Sequence, residues 1–298
     1  MRIVQDAGRV VAGGGRAIVA GMVAAVIAVG SAASVAAQEI ATEWMEGERH
    51  RVRLLAGDVP GALPDTVTAF LEVAMNKGWK TYWKNPGTAG GIPPEFNFGG
   101  SKNVAKAEAL YPVPQVISDK AGDVIGYREY VMFPIRITPQ DPAQPLTIVV
   151  TANYGICEKL CVPAEVTLSL DVPPAPRPSA GADAERAYAA VPRSGDTVRS
   201  GDPTGFKFEP PGNDQSQSGS KTLKLSATFP GDPADAAVYL AVADGRYIAM
   251  PKRAAVEGET VTFAVTMSDE ELAALKGERV SVTMKGSKGQ SEDTFVID

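Results

Sequence analysis

Apolar and polar residues alternate along most of this chain with a period of two, and almost nowhere with the 3.6-residue period of a helix. Residues 67–74 (Val-Thr-Ala-Phe-Leu-Glu-Val-Ala) carry one wholly apolar face, the pattern of a strand laid on a core. Residues 49–55, 78–84, 129–138, 146–153 and 165–172 read the same way, with shorter extended pieces at 96–100 and 104–110. Turn residues punctuate them, notably Asn85-Pro86-Gly87 and Gly90-Gly91-Ile92-Pro93-Pro94. Residues 111–123 hold two prolines and a glycine and are expected to be the longest irregular stretch. About seven strands joined by turns, without a helical period, predict a β-sandwich over residues 38–172.

Composition changes after that. Pro173-Pro174-Ala175-Pro176-Arg177-Pro178 reads as a stiff, extended linker, and residues 182–191 as a short helix within a connection spanning 173–203. Alternation resumes at 206–208, 222–229, 237–242, 260–266, 279–284 and 294–297. Ser268-Asp269-Glu270-Glu271 has capping-box spacing and should open one short helix ending near Lys276. Residues 213–220 are rich in Gln and Ser and read as a mobile loop. The fold class is therefore all-β, with a second, smaller β-sandwich over residues 204–298.

The first 37 residues have a different character. Arg2, Arg9 and Arg16 precede an apolar stretch at 17–29, and Ser34-Val35-Ala36-Ala37 offers small residues for cleavage. This is the pattern of a secretory signal peptide; an uncleaved anchor is the other reading. No later segment approaches the roughly 20 apolar residues of a membrane-spanning helix. The Ala-rich leader points to a bacterial periplasm, an oxidising space. The leader carries three Arg and one Asp, so its removal takes the net charge from −6 to −8. An acidic chain without a basic run argues against nucleic acid as a partner.

Candidate chemistry is narrow. His50 is the only histidine, which leaves His-based metal sites and Ser-His or Cys-His nucleophiles without support. There is no Gly-rich phosphate loop, no Gly-x-Ser-x-Gly elbow and no readable carboxylate pair, and no cofactor is expected. What stands out is Tyr154-Gly155-Ile156-Cys157-Glu158-Lys159-Leu160-Cys161-Val162-Pro163, which holds both cysteines with three residues between them. Apolar alternation enters and leaves it, so the sulfurs belong at or near a hairpin tip. As a staple, so short a loop contributes only about 2 kcal/mol, and a chain of this size does not need it. Three readings stay open on spacing alone: a working redox couple, a loop-fixing disulfide in a two-domain binding or adaptor protein, and a soft Cu(I) site with a methionine. Lys159 would favour a thiolate and Glu158 oppose it. Trp79, Tyr82 and Trp83 serve either as ordinary core or as an apolar wall around the sulfurs.

Three stretches resemble one family: Gly78-Trp79-Lys80-Thr81-Tyr82-Trp83; Gly126-Tyr127-Arg128-Glu129-Tyr130-Val131-Met132-Phe133-Pro134; and the cysteine segment through Ala164-Glu165. They resemble the N-terminal periplasmic domain of the DsbD/ScsB thiol:disulfide interchange proteins over roughly residues 49–172, and the remaining domain resembles the second β domain of ScsB-type N-terminal regions. The resemblance implies immunoglobulin-like domains and a cysteine pair that cycles between disulfide and dithiol. It implies that Cys161 forms mixed disulfides and Cys157 resolves them, that a cap loop at about 115–123 shields the pair, and that Trp79, Tyr82 and Tyr127 surround it. The implied partners are a membrane thiol reductant or a thioredoxin-like periplasmic protein on one side, and exported disulfide proteins on the other. The sequence contains no Cys-x-x-Cys motif of its own, so those partners are expected to be separate chains.

Overall fold

The computed structural model describes residues 39–119, 122–211 and 220–297. The expected leader lies outside these, as do most of the Gln/Ser-rich stretch and residues 120–121 within the expected cap loop. No helix among the described residues is long and apolar enough to cross a membrane. The described residues all belong to one compact unit.

Twelve strands precede the linker. They are β1 (Ile40–Ala41), β2 (Met45–Glu46), β3 (His50–Ala56), β4 (Val67–Met75), β5 (Lys80–Tyr82) and β6 (Glu95–Asn97). After these come β7 (Val104–Ala109), β8 (Gln115–Asp119), β9 (Gly122–Arg128), β10 (Tyr130–Pro139), β11 (Leu146–Cys157) and β12 (Cys161–Val172). One sheet has the order β1-β3-β4-β10-β7, with β2 on β3; the facing sheet has the order β12-β11-β5-β9-β8, with β6 on β11. All these ladders are antiparallel, giving an immunoglobulin-like sandwich.

The two-residue period explains which face each strand buries. Val67, Ala69, Leu71 and Val73 of β4 and Val131, Phe133, Ile135 and Ile137 of β10 point into the core against Ile148, Val150, Ala152 and Tyr154 of β11. Full burial of such side chains contributes about 1.5–3 kcal/mol each. The outer face of β4 is covered as well. Phe70 packs with Leu55, Val59 and Met132 beneath Ala180 and Ala184 of the connection, so the linker does not swing free. Arg177 pairs with Asp58, and Val113 N–H donates to the Ala190 carbonyl. The expected short helix forms as α1 (Ala182–Ala189).

The second sandwich is built from β13 (Thr204–Glu209), β14 (Ser220–Thr228), β15 (Ala237–Ala241), β16 (Lys252–Glu257), β17 (Thr260–Ser268), β18 (Arg279–Lys285) and β19 (Gln290–Val296). A four-stranded sheet, β13-β14-β17-β16, packs on a three-stranded one, β15-β18-β19. Leu223, Leu225, Phe263, Val265, Val280 and Val282 form much of its core. The helix α2 (Asp269–Leu275) starts where the capping box places it: Ser268 Oγ accepts from Glu271 N–H, and the Glu271 carboxylate accepts from Ser268 N–H. Strand β16 has no counterpart in the sequence reading. Every one of its residues is exposed, so it carries no buried face to reveal it.

Two differences bear on the site. The stretch 111–123, expected to be irregular, contains β8 and the start of β9, paired in register from Gln115↔Gly126 to Asp119↔Gly122. Pro112 and Pro114 end just before the ladder begins, so they do not interrupt it. The central hairpin is also longer than expected. β11 and β12 stay paired for twelve positions, through Gly155↔Pro163, to Cys157↔Cys161. Gly155 and Pro163 read as breakers, but β12 is an edge strand, where proline removes no needed ladder bond.

Candidate functional site around Cys157 and Cys161

Strand parity assembles the site. Register pairs Cys157 with Cys161, Cys157 with Lys80, Tyr82 with Gly126, and Ile117 with Val124. All of these therefore share the outer face of the second sheet, while Ile156, Thr81, Ile125 and Tyr127 take the inner face. Along β11 the burial alternates to residue 153 and then becomes continuous from Tyr154 to Cys157. The strand is covered on both sides only over its last four residues, which end at Cys157.

Only three residues, Glu158, Lys159 and Leu160, separate the paired cysteines, and the two Sγ atoms lie 3.1 Å apart. That is about 1 Å more than a disulfide bond, so small side-chain movements close or open the pair. The two sulfurs differ in access. Cys157 is buried, packed with Tyr82, Ile117 and Val124, whereas Cys161 is exposed. Beside Cys161, Leu160 is 80 % exposed and Val162 39 %.

The Tyr82 hydroxyl lies 2.7 Å from Cys161 Sγ. Burial, then hydrogen bonding to the cysteines, pushes the Tyr82 phenol far above its usual range, so it stays a proton donor. Lys80, only 4 % exposed, extends along the same face and donates from Nζ to the Glu158 carbonyl at 3.1 Å, which pins the turn between the cysteines. Burial pushes the Cys157 thiol up. The Tyr82 hydroxyl pulls it down, Cys161 adds to the rise, and the Lys80 charge pulls it down. Cys157 therefore holds its proton, while its exposed neighbour sits beside a hydroxyl donor.

The ring of Tyr82 is clamped. A Cβ at Gly91 would lie 2.2 Å from Tyr82 Cε1, and one at Gly155 would lie 3.0 Å from Tyr82 Cε2, so the backbone passes closely on both sides. The segment 85–94 forms a strap across this face. Pro86 carbonyl accepts from Ile125 N–H, Ala89 N–H donates to the Asp123 carbonyl, and Gly155 N–H donates to the Ile92 carbonyl. Gly87, at φ 90°, touches the Asp123 carbonyl so closely that a Cβ there would sit 2.2 Å from its oxygen. The cover of Cys157 is therefore a strap plus the β8–β9 hairpin, and the hairpin supplies Ile117 and Val124.

Of the aromatic residues singled out in the sequence, Tyr82 alone touches a sulfur. Tyr127 lies between the sheets, 5.5 Å from the Phe133 ring, and donates to the Pro112 carbonyl. Trp79 and Trp83 belong to the same inter-sheet core, not to the sulfur face. The cation that reaches Cys157 is Lys80 across the ladder, not the Lys159 expected from its place between the cysteines. Lys80 and Tyr82 are two residues apart on one strand, and that spacing was the available signal. Among the described residues no three His, Cys, Asp or Glu side chains gather in a metal-binding group.

No curated protein sequence matches the chain. Its fold is similar to that of the N-terminal periplasmic domain of ScsB from Proteus mirabilis, with a TM-score of 0.60 at 24 % identity, over 87 % of this chain and 99 % of that one. Residues 52–173 match the family described as "Thiol:disulfide interchange protein DsbD, N-terminal". This stretch contains both cysteines, Tyr82, Lys80, the strap and the β8–β9 hairpin. The match to this family covers the first sandwich of the chain and not the second.

Proposed function

We propose that the chain is a periplasmic electron-transfer module whose Cys157–Cys161 disulfide accepts two electrons from a membrane thiol reductant or a thioredoxin-like protein and delivers them to exported disulfide proteins. The observation that carries this reading is the asymmetry of the pair: an exposed Cys161 beside the Tyr82 hydroxyl, and a buried, protonated Cys157 within 3.1 Å. Thiol–disulfide exchange needs one sulfur open to attack and a second close enough to resolve.

In the loading step a donor thiolate attacks Cys161 Sγ of the disulfide. A mixed disulfide forms and Cys157 leaves as a thiolate, which takes a proton. The donor's second thiolate then displaces Cys161, so the donor becomes a disulfide and this chain a dithiol. In the delivery step the Cys161 thiolate attacks the client's disulfide. Cys157 loses its proton and attacks Cys161 Sγ, which re-forms the intramolecular bond and releases the client as a dithiol. The Tyr82 hydroxyl donates to the Cys161 thiolate in both directions, and the Lys80 ammonium faces the leaving charge on Cys157.

A fixed staple fits this geometry less well. The ladder already holds the hairpin together to its last pair, and a loop-fixing bridge would not need one exposed sulfur.

The test uses a thioredoxin-fold protein with one active-site cysteine, activated as its thionitrobenzoate mixed disulfide. The Cys157→Ser chain should release thionitrobenzoate and form a dithiothreitol-reversible adduct through Cys161, while Cys161→Ser reacts at least tenfold more slowly. Equal reaction of the two variants, or none from Cys157→Ser, would overturn the assignment.

A further inference from the structure

The second sandwich reaches the strap that clamps Tyr82. Asn85, at the start of the strap, is only 1 % exposed. Its Nδ2 donates to the Leu240 carbonyl at 3.0 Å and to the Ile248 carbonyl at 2.8 Å, and both acceptors belong to the second sandwich. Its Oδ1 accepts from Gly87 N–H at 3.1 Å, at the point where the strap turns onto β9. One buried amide thus fastens the strap's first turn to the other domain, and removing it strands two carbonyl groups and one amide.

Other contacts run along the same seam. Lys84 Nζ pairs with Glu292 at 3.1 Å, and the Trp83 ring meets Tyr239 edge-on at 6.0 Å. Near the strap's far end, a Cβ on Gly245 would touch Pro93 Cγ at 3.4 Å. The strap is therefore held from behind at its first turn, runs close to the second sandwich at Pro93, and passes close to the Tyr82 ring at Gly91.

We propose that Asn85 is a positioning residue for the thiol pair: by tying the strap to the second sandwich it fixes the Tyr82 hydroxyl on Cys161. The second domain is then part of the redox centre's support and not a spacer alone. This rests on the proposed exchange at Cys161.

The test measures iodoacetamide alkylation of Cys161 against pH in the full chain carrying Cys157→Ser, with Asn85→Ala and Tyr82→Phe singly and together. Asn85→Ala should slow alkylation at neutral pH by about twofold and move the profile toward higher pH, short of the roughly threefold effect of Tyr82→Phe. In the Tyr82→Phe background, Asn85→Ala should add nothing, because its effect passes through that hydroxyl. An unmoved profile for Asn85→Ala, or an equal shift in both backgrounds, overturns the inference.

If Asn85→Ala does not fold, Glu292→Gln weakens the same seam from partly exposed positions. It should shift the profile in the same direction, and no shift again overturns the inference. Failure of the exchange reading is separate: it appears as a missing thioredoxin adduct, whereas failure of this inference appears in a chain that still forms one.

Discussion

The hydroxyl of Tyr82 and the sulfur of Cys161 lie 2.7 Å apart, across a ladder in which neither residue is the other's direct partner. Tyr82 pairs with Gly126 and Cys161 with Cys157, so the contact exists because both side chains share one sheet face. The absence of a side chain at Gly91 and Gly155 leaves room for the phenol ring between them. An exposed thiol thereby gains a buried donor.

Tyr82→Phe removes that donor and little else. A hydrogen bond to a charged group is worth about 1.5–3 kcal/mol, so losing the donor leaves the sulfur at Cys161 less well stabilised as it reacts, and alkylation should slow by roughly threefold. An unchanged rate in Tyr82→Phe contradicts a donor role for the hydroxyl.

Gly91→Ala should damage the site without touching a sulfur. The new Cβ would stand 2.2 Å from a fully buried ring that has Gly155 behind it, so either the strap lifts or the ring tilts. Such overpacking costs about 1–3 kcal/mol. Urea unfolding should show that loss, and alkylation of Cys161 should slow as it does in Tyr82→Phe. Gly155→Ala, with 3.0 Å of clearance, should show a smaller version of both effects. Wild-type stability in Gly91→Ala contradicts the clamp.

Alkaline pH should destabilise the fold. Burial raises the phenols of Tyr82, Tyr111, Tyr127 and Tyr154 above the ordinary tyrosine value. A raised value in the folded state means that the folded chain keeps protons the unfolded chain releases. Their contribution is complete below about pH 10 and is lost as pH rises beyond it. Urea midpoints should therefore fall between pH 9 and pH 11, and the tyrosinate absorbance of these residues should appear together with unfolding. Free titration of all eight tyrosines near pH 10 in the folded protein contradicts this.

Much of the architecture was legible in the chain itself. Alternation marked β4, β10 and β11, and the Ser268–Glu271 capping box marked the start of α2. The cysteine pair stood out by its spacing, and its placement at a hairpin followed from the apolar runs on either side. What local pattern did not reveal was set by tertiary packing. The β8–β9 hairpin follows two prolines and carries its apolar residues as adjacent pairs, Val116-Ile117 and Val124-Ile125, without clean alternation, and its site-facing Ile117 and Val124 find their partners in Tyr82 and Cys157, far away in sequence. The strap reads as a Pro/Gly loop because its work is done by backbone groups. Asn85 reads as a turn residue because its carbonyl partners lie more than 150 positions later. Strand parity would have separated Tyr82 from Trp79 and Tyr127, since Lys80 and Tyr82 face the sulfurs while the other two pack between the sheets.

The most direct test of a working couple is its reduction potential, measured by equilibrating the full chain in glutathione buffers and counting free thiols at Cys157 and Cys161. An exchange module should titrate at a potential less negative than about −300 mV, within reach of thioredoxin-like donors. A pair that stays oxidised in buffers well below about −300 mV would be an inert structural bridge, and the electron-transfer account would be contradicted.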